Sequence, residues 1–171
     1  NCSQNLANYS IEYTFADGAK LFAFSRHMNG CWETYSASAH GSKGSALIME
    51  SLGAPNPKIY KSQDMKPSEV TWAYGQPDCN PYHAEWQLLL DAIRRNTPHN
   101  EARRAGEADV AALMGRMATH TGQYVTWEQA LGSEFQFVED IDNLTFDTPA
   151  PIHDGPDGIY PCPQPGTTKE G

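Results

Sequence analysis

The stretch from Asn80 to Leu131, NPYHAEWQLLLDAIRRNTPHNEARRAGEADVAALMGRMATHTGQYVTWEQAL, decides the fold, because it spells out three helices with marked ends. Asn80 is a natural N-cap, and Pro81 suits the first helical position, where its missing N–H costs nothing. Trp86, Leu89, Leu90 and Ile93 then recur at i, i+3, i+4 and i+7 as one apolar stripe. Arg94 and Arg95 favour the C-terminal end of that helix, and Pro98 stops it. A second helix is predicted from Asn100 as N-cap to about His120. Its broad face of Ala105, Ala108, Ala112, Leu113 and Met117 suits close packing, and Gly122 follows as the closing residue. Thr126 to Gln129 reads T-x-x-Q, a capping box opening a short third helix.

Upstream the period changes from 3.6 to two. Ile11, Tyr13 and Phe15 alternate with Glu12 and Thr14, the Ala16-Asp17-Gly18 turn follows, and a second strand is predicted over about 20–28. Asn29-Gly30 is another turn signal. Further strands are expected at 32–39 and 45–49, joined by His40-Gly41-Ser42-Lys43-Gly44, with short ones at 58–61 and 70–74. Pro55, Pro57, Pro67 and Pro77 punctuate the segment before the helices. After Phe137 the chain turns acidic and then Pro-rich, with Pro149, Pro151, Pro156, Pro161, Pro163 and Pro165. That composition predicts an extended tail over 138–171, mobile in its last ten residues. Strands followed by helices argue α+β. The expectation is one domain over 1–137, an open, mostly antiparallel or mixed sheet at about 9–75 with helices from about 81–132 on one face. The other sheet face then needs a cover.

Composition narrows the function classes. At 171 residues, with 39% hydrophobic and 11% aromatic residues, the chain is long enough for a real core. No run approaches the ~18 apolar residues of a membrane helix, so no membrane partner is expected. The 12 basic residues are outnumbered by 21 acidic ones for a net charge of −9, which argues against nucleic acid, whose phosphates require clustered cations. Cys2, Cys31, Cys79 and Cys162 form no CxxC pair and match no zinc spacing, so they read as thiols in a reducing compartment, and no metal is expected. A cytoplasmic location is favoured, with export left open.

Two long stretches, SIEYTFADGAKLFAFSRHMNGCWETYSASAHGSKGSALI at 10–48 and NEARRAGEADVAALMGRMATHTGQYVTWEQAL at 100–131, carry a resemblance. They resemble, in the correct order, the second domain of putative dehydrogenases in the glucose–fructose oxidoreductase / inositol dehydrogenase (Gfo/Idh/MocA) family. The resemblance implies a parent enzyme that moves a hydride between a sugar, polyol or related hydroxy compound and NAD or NADP. It implies an N-terminal Rossmann domain as the partner that holds the cofactor, and a homo-oligomer built through the sheet face. Within the chain no strand–GxGxxG–helix pattern occurs, so no cofactor is expected to bind these residues. The nearest Gly-rich segment, 40–44, reads as a hairpin turn rather than a phosphate cradle. The family's Glu-Lys-Pro motif and its helix with spaced Asp and His are absent as well, so no catalytic residue carries over. The chain alone is expected to be inactive. The alternatives are a non-catalytic sugar-binding module, using Trp32, Trp72 and Tyr74 as aromatic platforms, and a structural dimerisation unit.

Four side chains are candidates for facing a substrate: Arg26 and His27 at the end of the second strand, Trp32 beyond the turn, and His40 beside Lys43 at the hairpin loop. Neighbours on a strand point to opposite faces, which weakens Arg26 and His27 as a pair. His83 and Glu85, two apart on a helix, share no face and make a poor metal pair. His99 and His120 read as capping or surface groups, and Glu101, Glu107 and Asp109 as a solvated face.

Overall fold

The computed structural model describes residues 5–50, 56–75, 80–138 and 140–170. The sequence readings placed on Cys2, Pro55, Pro77 and Cys79 lie outside these residues. The elements run β1 (Asn8–Thr14), β2 (Lys20–Arg26), β3 (Ala37–Gly41), β4 (Gly44–Met49), β5 (Lys58–Tyr60), β6 (Val70–Ala73), α1 (Pro81–Arg95), α2 (Ala102–Thr121) and α3 (Trp127–Leu131). The fold is α+β. Among the described residues every strand pairing is antiparallel, but the strands divide between a two-stranded sheet, β1-β2, and a four-stranded meander, β3-β4-β5-β6. The single sheet expected at 9–75 is broken because residues 27–36 join no ladder; Asn29 and Gly30 turn the chain, Gly30 at φ +76°. Within the span read as one domain, backbone contacts form two compact units. One comprises 1–29 with 101–171, the other 30–100.

In the first unit, β1 and β2 close around Phe15–Ala19. Gly18 at φ +87° donates to the Phe15 carbonyl, and the Asp17 carboxylate accepts from the Ala19 N–H at 3.0 Å. The register sets Tyr9 opposite Ser25, Ile11 opposite Ala23 and Tyr13 opposite Leu21. Side chains alternate along a strand, so Tyr9, Ile11 and Tyr13 share one face, and their half-burial against exposed neighbours follows that alternation. This face packs on α2. The Tyr13 hydroxyl donates to the Ala111 carbonyl at 3.0 Å. A Cβ on Gly115 would stand 2.1 Å from that hydroxyl and 2.9 Å from Ile11 Cδ1, so only glycine admits the hairpin this closely. On the opposite face Glu12 pairs with Lys20, while Phe22 and Phe24 remain 54% and 75% exposed.

The helix ends follow the sequence closely. Asn80 Oδ1 accepts from the Tyr82 N–H at 3.0 Å, with Pro81 at the first position, and Asn96 closes α1 at φ +51°. The apolar stripe of α1 stands open to solvent, with Trp86 60% and Ile93 66% exposed. Helix α2 starts one residue beyond expectation, with Glu101 as its flanking residue, and Gly122 ends it at φ +70°. The Thr126–Gln129 capping box forms in both directions, at 2.8 and 3.2 Å. The stretch after Phe137 has two short features, a 3₁₀ turn at Ile141–Asn143 and a return to α2, where the Gly166 N–H donates to the Thr121 carbonyl at 2.7 Å. Glu170, in the part expected to be mobile, is buried. Polar groups on the end of α2 capture it, a pairing that Pro content cannot announce.

In the second unit, β3 and β4 meet through Ser42-Lys43 between the paired Gly41 and Gly44, as a hairpin turn. The Gln63 side-chain amide donates to both glycine carbonyls, at 2.8 and 3.2 Å. Tyr60 and Ser45 are buried beside it, the Ser45 hydroxyl donating to the Ser62 carbonyl at 2.6 Å.

The chain exposes 13692 Å². Large apolar side chains form part of that surface, among them Phe24, Trp32, Trp86 and Ile93.

Candidate functional site

The end of α2 gathers the densest polar cluster of the first unit. His120 is fully buried, four residues and one helical turn beyond Arg116. Its Nε2 lies 3.2 Å from the Tyr9 hydroxyl of β1, and its Nδ1 lies 2.9 Å from Glu170 Oε1. The other carboxylate oxygen of Glu170 accepts from Arg116 Nη1 at 2.7 Å. An ionised carboxylate only accepts, so Nδ1 carries the proton shared with Glu170, while Nε2 is left within hydrogen-bonding distance of the Tyr9 hydroxyl. The Tyr9 ring stacks near the imidazole, with centroids 6.1 Å apart and planes 24° apart. Every buried polar side-chain atom among the described residues has a partner, as a buried ionic cluster requires. Nearby, burial raises Tyr13 above the ordinary phenol range.

Of the paired Arg116 and Glu170, Arg116 is the more open, its side chain 26% exposed against 5%. It borders a cavity of about 340 Å³ whose walls include Phe135, Phe137, Ile152, Cys162, Lys169 and Glu170. It also borders a second cavity of about 370 Å³, with Asn5, Leu113 and the same two phenylalanines. Both are open clefts rather than enclosed cavities, and their volumes are within the range of small-molecule sites. His120, with no accessible surface, can act on nothing bound there. It holds Glu170, and Glu170 in turn anchors one nitrogen of the Arg116 guanidinium. No group of three or more His, Cys, Asp or Glu among the described residues could hold a metal ion.

The four residues singled out from the sequence stand elsewhere. Arg26 ends β2 opposite Asn8, on the face that carries Phe22 and Phe24. His27 follows it, its backbone N–H donating to the Ala7 carbonyl at 3.0 Å. Both belong to the first unit, and Trp32 and His40 to the second. Trp32 is 78% exposed. His40 Nδ1 lies 2.7 Å from Gln63 Oε1, so this ring braces the amide that locks the β3–β4 turn. His120, read as a capping or surface group, is instead the most buried side chain of the described residues. Its partners lie 111 and 50 residues away in sequence, beyond the reach of any local pattern. Tyr9, Arg116 and Glu170 carry no sequence mark of their role beyond the i, i+4 spacing of Arg116 and His120.

Cys31 is a free thiol. No described helix is long and apolar enough to cross a membrane. No protein-family model, curated protein or solved structure matches the chain.

Proposed function

We propose that the chain is the substrate-binding and oligomerisation half of an NAD(P)-dependent oxidoreductase of the Gfo/Idh/MocA type, acting on a sugar, polyol or related hydroxy compound. One observation carries this reading. The two stretches that resemble the family, 10–48 and 100–131, are far apart in sequence, yet the hairpin of the first and α2 of the second pack together around Gly115. A shared ancestry of the two stretches as one structural unit accounts for that pairing. The large exposed apolar area supports a chain that works against other surfaces. On this reading those surfaces are a Rossmann domain, which would hold NAD or NADP, and a second copy of the chain across the uncovered sheet face. Hydride transfer would then take place on the cofactor half, while this half shapes the pocket.

A second reading, a sugar-binding module without catalysis, is favoured by the exposure of Trp32, Trp72 and Tyr74 at 78%, 48% and 41% in the second unit. Light scattering of the purified chain, with and without NADH, tests the first. An assembly of two or more copies that ignores NADH is the expected result. Tight NADH binding by this chain alone would overturn it, because these residues contain no phosphate-binding turn. Saturable quenching of tryptophan fluorescence by a neutral sugar, in a monomer, would favour the second reading instead.

A further inference from the structure

We propose that the cavity beside Arg116 binds a small organic monoanion, a carboxylate carried on a flat apolar body. This assignment rests on the first unit alone and stands whether or not the chain belongs to an oxidoreductase.

The walls determine the body of the ligand. Phe135, Phe137 and Ile152 offer apolar surface, and both phenylalanines continue into the adjoining cavity, so the space is elongated along them. A flat hydrocarbon group buries its faces there without stranding a polar atom. The charged groups determine its head. Among the described residues Arg116 and Lys169 line the space, and Glu170 opposes them, which leaves about one positive charge at that part of the wall. A monoanion neutralises that charge. A dianion would bring surplus negative charge against the Glu170 carboxylate, and a neutral ligand would leave the cations without a counter-charge.

The buried cluster explains why Arg116 is more than a surface cation. One of its nitrogens donates to Glu170, whose side chain is only 5% exposed and is gripped from the other side by a fully buried His120. A guanidinium has five N–H donors in a rigid plane, so anchoring one nitrogen leaves the other donors free to meet a ligand and restricts where they point. That planar fork matches a carboxylate. The chain carries a net charge of −9, so a preformed cationic wall runs against its general electrostatics. A bland structural role for Arg116 would need only the Glu170 contact, with no cavity on its other side.

The test titrates the intact chain with benzoate, using benzyl alcohol as the neutral counterpart and phenyl phosphate as the dianion, followed by calorimetry and ligand-observed NMR. The expected result is saturable benzoate binding, at least tenfold weaker binding of benzyl alcohol, and phenyl phosphate no tighter than benzoate. Arg116→Gln should weaken benzoate about tenfold or more. Lys169→Gln, an exposed change that leaves the buried cluster intact, should weaken it by about threefold and keep the fold. Should Arg116→Gln fail to fold by circular dichroism, Lys169→Gln and the benzyl alcohol comparison decide the matter. Equal affinity for benzoate and benzyl alcohol, tighter binding of phenyl phosphate, benzoate affinity unchanged by Lys169→Gln, or no saturation below about 10 mM would each overturn the assignment.

Discussion

Replacing Gly115 with alanine puts a methyl group into the seam between α2 and the β1–β2 hairpin. The new Cβ would stand 2.1 Å from Tyr13 Oη, 3.1 Å from Tyr13 Cζ and 2.9 Å from Ile11 Cδ1. These distances are far inside the ~3.5–4.0 Å optimum for nonbonded atoms. Either the hairpin lifts or Tyr13 swings aside. Swinging breaks the 3.0 Å bond to the Ala111 carbonyl, a loss of about 1 kcal/mol, and the overpacking itself costs about 1–3 kcal/mol. Alanine returns about 1 kcal/mol as the better helix former. The net expectation is destabilisation by about 1–3 kcal/mol. Gly106 supplies the control, since it lies in the same helix with nothing within 4 Å of a Cβ built on it. Gly106→Ala should therefore stabilise by about 1 kcal/mol through propensity alone. Equilibrium urea unfolding followed by far-ultraviolet circular dichroism reads both, provided the slopes match wild type. Adding Tyr13→Phe to Gly115→Ala removes the closest clashing atom and should recover part of the loss. Were Gly115→Ala to raise the midpoint as Gly106→Ala does, the close approach of hairpin and helix would be refuted.

Glu170→Ala should cost about 3 kcal/mol, because it leaves His120 buried without its acceptor and Arg116 without its counter-charge; the unfolding midpoint measures it, and a neutral effect would mean that the end of the chain does not dock. Thr126→Ala removes half of a reciprocal capping box and should cost about 1 kcal/mol in the same assay. Burial raises the Tyr13 pKa above 10.0, so its neutral form binds its proton more tightly in the folded state. The stability it contributes is complete below the ordinary value and is lost as pH climbs through the raised one. Alkaline unfolding curves should show a limb above pH 10.0 that Tyr13→Phe removes, and identical curves for both proteins would contradict this.

What was legible in the sequence was local. The Asp17-Gly18 turn, the Asn80-Pro81 helix start, the Gly122 stop and the Thr126–Gln129 box all formed as read, because each is decided by side chains within four residues of the backbone they serve. Pairing between strands was not local. Strand signals at 10–15 and at 32–49 read alike whether the strands share a sheet or not, and only the run at 27–36, which lies outside both ladders, separates them. The third strand, expected from Trp32, begins at Ala37, where a bulge against β4 opens the ladder. The stripe on α1 was read correctly as a pattern, yet Trp86 and Ile93 face water, since periodicity marks an apolar face without saying what covers it. The buried cluster was illegible for a related reason. His120 lies among small residues at the end of a helix, where a histidine has every ordinary reason to be solvated. Its burial depends on one tyrosine from the first strand and one glutamate from a Pro-rich tail.

The first unit is assembled from both flanks of an inserted module, and this shapes how the chain can fold as it is synthesised. The hydroxyl of Tyr13 and its acceptor at Ala111 are 98 residues apart. At a ribosomal pace of about 5–20 residues per second, the hairpin emerges several seconds before the helix that covers it. A lone two-stranded ribbon is marginal in water, so β1 and β2 cannot persist through that interval on their own pairing. The 30–100 module has all its strands in sequence and can close behind the ribosome while the earlier segment waits. Glu170 reaches His120 and Arg116 only after a further 50 residues beyond the histidine. Completion of the first unit thus comes later in synthesis than closure of the 30–100 module, and until then Phe22 and Phe24 of the segment 8–26 are carried on a hairpin without its helix.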